Sequence, residues 1–192
     1  MAKKKDKSLY DENGRWVEER GRVKGAVRRS FRLSPQMKEV LQAARVELPP
    51  ALKKDGTPGK RNQVRYRCAA CKELFSQKDV QVDHLKTVVP LWKKEKDMTY
   101  DEIVRGVFCD KDNLQVLCST PMKRNDGKSS CHKKKTDEEK YIRKNMVAAI
   151  DAGNFLAEDN DLIIEKLKKR HREELKEKEE KKNGRKRKSK KG

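Results

Sequence analysis

Cys68-Ala69-Ala70-Cys71, Asp83-His84, Asn113-Leu114-Gln115-Val116-Leu117-Cys118 and Cys131-His132-Lys133-Lys134-Lys135-Thr136 follow one another in this order within residues 66–136. They decide how the chain is read. Four of these side chains are soft thiols of the kind that close a structural zinc site. The others form a harder set, Asp, His, Asn and His, suited to a phosphate and a divalent ion. The rest of the chain reads as attachments to this stretch.

Cys68-x2-Cys71, twelve residues and His84 match the first three ligands of a two-Cys, two-His zinc finger. Such a finger needs a second His three to five residues later, and positions 88–90 are Val, Val and Pro. His84 is thereby available for another duty. The completing thiolates are sought at Cys118, closing a predicted strand, and Cys131, opening a predicted helix, where two sulfurs can converge on the Cys68–Cys71 knuckle. Twelve residues separate Cys118 from Cys131. That interval keeps open a set in which Cys109 replaces one member, beside the reading of Cys109 as a small buried hydrophobe.

Composition bounds the architecture. Of 192 residues only 33% are hydrophobic and 43% are charged, which excludes a large apolar core and favours one small α+β domain with extensions. A core that small needs a staple. Five cysteines without an apolar leader segment point to metal and a reducing compartment rather than to disulfides. No run approaches the roughly 18 apolar residues of a membrane span, so a cytoplasmic protein with no membrane partner is expected. The formal charge of +20 makes nucleic acid the first partner to consider, because excess Lys and Arg release condensed counterions from it.

Residues 1–33 read as a basic flexible arm, with Lys3-Lys4-Lys5 and Arg28-Arg29 as clusters suited to phosphate, and Trp16 and Phe31 nearby. Residues 34–60 read as a helix and loop extension. Ser34 is the N-cap, Pro35 the first helical residue, and Met37, Val40, Leu41 and Ala44 form an apolar stripe. Within 61–152, residues 64–66, 80–82 and 114–117 read as short strands. Residues 88–112 are an excursion holding a short helix capped by Thr99 and Glu102. A long helix over about 130–152 carries Tyr141, Ile142, Met146, Val147 and Ile150, with Gly153 as its stop. Residues 153–180 contain a charged helix with Ile164, Leu167, His171 and Leu175 on one stripe, and 181–192 read as a disordered basic tail. His171 is expected to be solvated or partly packed.

In this order the four motifs resemble the HNH endonuclease family, particularly small phage-type members with a four-Cys zinc. The resemblance covers about residues 61–141. It implies a ββα-metal fold, with Asp83-His84 on the first strand of a hairpin, Asn113 in the connecting loop and His132 on the following helix. His84 would be the general base, a task that suits an imidazole with an ordinary pKa of about 6.5. Asp83 and His132 would hold one catalytic Mg2+ or Mn2+, and Cys68, Cys71, Cys118 and Cys131 a structural Zn2+. Asn113 would orient His84 through the loop backbone, or else join the metal shell. Lys133, Lys134 and Lys135 would face phosphates as nucleic-acid-binding point charges. Two departures stand out: family members commonly carry Pro three residues after the catalytic His, where this chain has Thr87, and the excursion over 88–112 exceeds the compact pattern.

The reading is therefore a metal-dependent endonuclease hydrolysing phosphodiesters, in double-stranded DNA first of all, and leaving 3′-hydroxyl and 5′-phosphate ends. A phage origin, acting in a bacterial host cytoplasm with a phage or host protein partner, would suit it. The rival reading is a non-catalytic, zinc-stabilised nucleic-acid-binding accessory protein, which needs tight zinc and ignores added Mg2+ or Mn2+. No helix-turn-helix or other base-reading element stands in the sequence.

Overall fold

A computed structural model describes residues 19–121, 129–152 and 160–188, with backbone only for 182–188. The described residues form a mixed α+β structure of helices and two small sheets, and divide into two compact units, Met1–Val88 with Met98–Val116, and Val89–Asp97 with Leu117–Gly192. Among the described residues no helix is long and apolar enough to cross a membrane.

The first unit begins with α1 (Glu19–Phe31). An arm without regular structure is expected here, and from Glu19 onward the chain is helical instead. Its physical support is tertiary: Phe31 is buried to 3% exposure, and with Val107 and Leu114 it forms a small core that Val27, Met37, Val40, Val82, Val88 and Cys109 complete. The Arg20 guanidinium also donates to the Met98 carbonyl, and the Tyr100 hydroxyl to Glu19. The cap predicted for α2 (Pro35–Ala43) is present, with Ser34 Oγ accepting the Met37 N–H at 3.3 Å. Its Met37 and Val40 are the residues that reach the core.

β1 (Arg45–Leu48), β2 (Gln63–Arg67) and β3 (Leu74–Phe75) make an antiparallel sheet in the order β1-β2-β3. Tyr66 pairs with Arg45 on one side and Phe75 on the other. β4 (Val80–His84) pairs with β5 (Leu114–Cys118) as a separate ladder. The Leu85 N–H donates to the Asn113 carbonyl at 2.8 Å, so the end of β4 meets the start of β5 and the pair runs antiparallel. Between them lies α3 (Tyr100–Val107), whose capping box is the one predicted: Thr99 Oγ1 accepts from the Glu102 N–H, and the Glu102 carboxylate accepts from the Thr99 N–H. Gly106 sits where the backbones of α3 and residue 88 approach, since a Cβ there would lie 2.8 Å from the Val88 carbonyl oxygen.

The second unit is built on α4 (Cys131–Asp151) and α5 (Asn160–Lys188). Met146 and Ile142, 0% and 1% exposed, anchor α4. Half-buried Arg143 donates to the carbonyls of Pro90, Lys93 and Val89 at 2.8, 3.1 and 2.8 Å, tying the segment 89–93 to α4. Burial holds its pKa below the usual guanidinium value. Tyr141 lies against the His171 ring at 4.4 Å and donates its hydroxyl to Glu174 at 2.7 Å, so His171 is partly packed. α5 runs on to Lys188, where a disordered tail from 181 is expected. The i,i+4 pairs Glu174–Lys178 and Glu177–Lys181 give the physical reason, since Glu placed one turn before Lys supports an exposed helix. The expected stop at Gly153, the clusters at Lys3-Lys4-Lys5 and Trp16, and residues 189–192 lie outside the described residues.

Candidate metal centre and the His84 site

The Cys68–Cys71 knuckle follows β2 directly. The Cys68 N–H donates to the Glu73 carbonyl at 2.9 Å, the Lys72 N–H returns to the Cys68 carbonyl at 3.0 Å, and Lys72 closes the turn at φ 63°. The Ala69 N–H donates to the Val116 carbonyl at 2.8 Å, which sets the knuckle beside β5. Cys118 ends β5, and Cys131 opens α4 after its N-cap Ser130, a buried side chain whose Oγ accepts the Lys133 N–H at 3.2 Å. The Cys131 N–H donates to Cys118 Sγ at 3.2 Å. A donor there, at the positive end of the α4 dipole, favours the negative sulfur that a metal requires.

These placements bring the sulfurs of Cys68, Cys71, Cys118 and Cys131 within 4.8 Å of one another. Thiolates at about 2.3 Å from a tetrahedral zinc sit about 3.8 Å apart, so the cluster fits that ion. All five cysteines are free thiols, and the four that cluster can bind a metal such as zinc. Cys109 stands outside the set and packs against the Phe31 core, where burial pushes its thiol pKa up. The small-hydrophobe reading of Cys109 is the one that agrees with this placement.

The other candidates are distributed as follows. Asp83 and His84 are the last two residues of β4, both half-buried, and Asp83 is engaged by a partner. Strand alternation puts His84 on the same side as Val82, toward the core. Its ring lies 5.8 Å from the Phe31 ring, tilted by 30°, and its Nε2 is 3.2 Å from the Val107 carbonyl oxygen. A carbonyl only accepts, so Nε2 carries the proton and Nδ1 of the neutral ring is the acceptor. Asn113 ends a short 3-10 turn before β5. Its Oδ1 accepts the Lys86 N–H at 2.7 Å, its Nδ2 donates to the Lys86 carbonyl at 3.4 Å, and its own carbonyl accepts from Leu85. Asn113 thus clamps the two residues that follow His84.

His132 is the second residue of α4, half-buried, with its carbonyl accepting from Thr136 Oγ1 at 2.9 Å. Lys133 and Lys134 are exposed, whereas Lys135 pairs with Glu139 on the next turn and so presents a compensated charge. Phe31 and the Val107 carbonyl adjoin the His84 ring, and Phe108 meets Phe31; the sequence names Phe31 only beside the basic clusters and links none of the three to His84. A backbone carbonyl has no sequence signature, and an isolated Phe in a charged helix gives only a faint one. No family model matches the chain, and searches of characterised proteins and of solved structures likewise return no match.

Proposed function

We propose that the chain is a metal-dependent endonuclease of the HNH type that hydrolyses phosphodiester bonds in DNA, with His84 as general base. The observation that carries this reading is the contact of Nε2 with the Val107 carbonyl, a group that only accepts, which would leave Nδ1 of a neutral ring able to take a proton. Nδ1 would take the proton of a water aligned with the scissile phosphorus. Asn113 supports this as a positioning residue, because its clamp on Leu85 and Lys86 holds the exit of β4. The β4, β5, α4 order along the chain is the order that a ββα-metal module requires. One carboxylate and one imidazole, Asp83 and His132, fit a hard to borderline ion by donor chemistry. When bound, Mg2+ or Mn2+ would neutralise charge growing on the phosphate and on the departing 3′ oxygen. The four-Cys zinc would be structural, since a closed set of thiolates leaves no open position for substrate.

Supercoiled plasmid incubated with the zinc-loaded protein in Mg2+, Mn2+ or neither tests the reading, with His84→Ala beside the native chain and circular dichroism and zinc content confirming its fold. Metal-dependent nicking that the variant loses is the expected result. Plasmid binding without nicking under every metal would leave the second reading, a zinc-stabilised binding protein. What favours that reading is the packing of the His84 ring on Phe31, which a purely structural histidine would also adopt.

A further inference from the structure

His84, Phe31 and Phe108 form a row of rings: Phe31 is 5.8 Å from His84, and Phe108 meets Phe31 edge-on at 5.3 Å and is 45% exposed. Buried Phe31 stands between exposed Phe108 and the imidazole, and it is the last residue of α1. The end of α1 therefore forms part of the rim around His84. At 100° per residue, Arg28 and Arg32 project about 60° and 100° from Phe31, on one flank of its inward face. They are one turn apart, and the Arg32 N–H still bonds to the Arg28 carbonyl at 3.2 Å.

Both side chains are exposed and, among the described residues, neither enters an ion pair. Arg29, Arg61 and Arg67 are likewise exposed and outside the ion pairs of the described residues, whereas Arg45 pairs with Glu47 and Arg105 with Asp101; what sets Arg28 and Arg32 apart is their place flanking Phe31. Like charges one turn apart are unfavourable, so an anion bound between Arg28 and Arg32 would relieve their repulsion. Arg28 also lies where a cation offsets the helix dipole, but that role needs only one charge and gives no reason for Arg32 beyond the last turn.

We propose that Arg28 and Arg32 are a phosphate clamp that seats the DNA backbone at the rim of the His84 site. The proposal rests on the reading that His84 acts on a phosphodiester. Guanidinium forks suit adjacent backbone phosphates, and α1 supplies a rigid mount for them. Contact of this kind fixes register without reading sequence.

The test measures binding of the full zinc-loaded chain to a fluorescein-labelled duplex, by anisotropy across a KCl series without Mg2+. Arg28→Gln with Arg32→Gln should lower the slope of log K against log salt by about 1.8, and affinity by about 60-fold at 0.1 M salt. Arg28→Lys with Arg32→Lys should keep the slope. The comparison pair Arg105→Gln with Lys111→Gln, which removes the same charge from residues already paired, should change it little. If the Arg28/Arg32 and Arg105/Lys111 pairs give equal slopes, the clamp is overturned and the arginines serve the helix alone. Circular dichroism and zinc content confirm that each variant is folded. Cleavage is scored separately: an inactive native chain that still loses slope in the Arg28/Arg32 variant removes the nuclease reading and keeps the clamp, while an active chain with unchanged slope does the reverse.

Discussion

Lowering the pH by one unit should weaken zinc binding by up to about 10⁴-fold, because four thiols meet at the candidate centre. Zinc binds thiolates, so each ligand that is a thiol in the metal-free site releases its proton on binding. The sign follows: protons compete with the metal, and affinity falls as pH falls. Each proton is worth about 1.4 kcal/mol per pH unit, so four give about 5.4 kcal/mol. That is comparable to the whole stability of a domain, about 5–15 kcal/mol, so acid or a strong chelator should also unfold the knuckle and the start of α4. Competition against a chromophoric zinc chelator between about pH 6 and about pH 7 measures the proton count directly. Cys131→Ser should reduce it to three, and Cys109→Ser should leave it at four. A native count of two or fewer, or no loss on Cys131→Ser, would refute the four-thiolate centre.

Arg143→Met should cost about 2–3 kcal/mol, read from the urea midpoint, because three carbonyls lose a charged donor. Lys72→Gly should raise the thermal midpoint, by about 0.5–1 kcal/mol of stability, since Lys72 holds φ 63° at a cost a glycine does not bear. Gly106→Ala should destabilise by about 1–3 kcal/mol, because the new methyl meets a backbone carbonyl that cannot swing aside. Hydrogen bonding to Tyr141 holds the Glu174 carboxyl below its usual pKa of 4.5, so its contribution is present above that value and is lost as pH falls through the lowered one. The Tyr141 near-ultraviolet signal should change over that range, and should not in Glu174→Gln.

The parts of the fold that were legible are those whose signal is local. Ser34-Pro35 and the Thr99/Glu102 box announce their helices because caps are made by residues three positions apart, independent of the rest of the chain. The strands containing residues 64–66, 80–82 and 114–117 are found because β-branched and aromatic residues cluster there. α1 was not legible, because its helicity depends on Phe31 finding a core made by residues over seventy positions away, Val107 and Leu114. α5 outlasts its apolar stripe because acid-base spacing, not burial, supports the turns that follow it.

Sequence alone determined the ligand types: four soft thiols at knuckle, strand-end and helix-start positions, and a separate Asp, His, Asn, His set, because donor chemistry is a property of side chains. It left open which cysteines meet. Only the tertiary structure decided that Cys109 packs in the Phe31 core while Cys68, Cys71, Cys118 and Cys131 converge, and that the Val107 carbonyl selects the nitrogen of His84 that can accept a proton. Both depend on backbone groups and distances between residues remote in the chain, which spacing along a sequence does not fix.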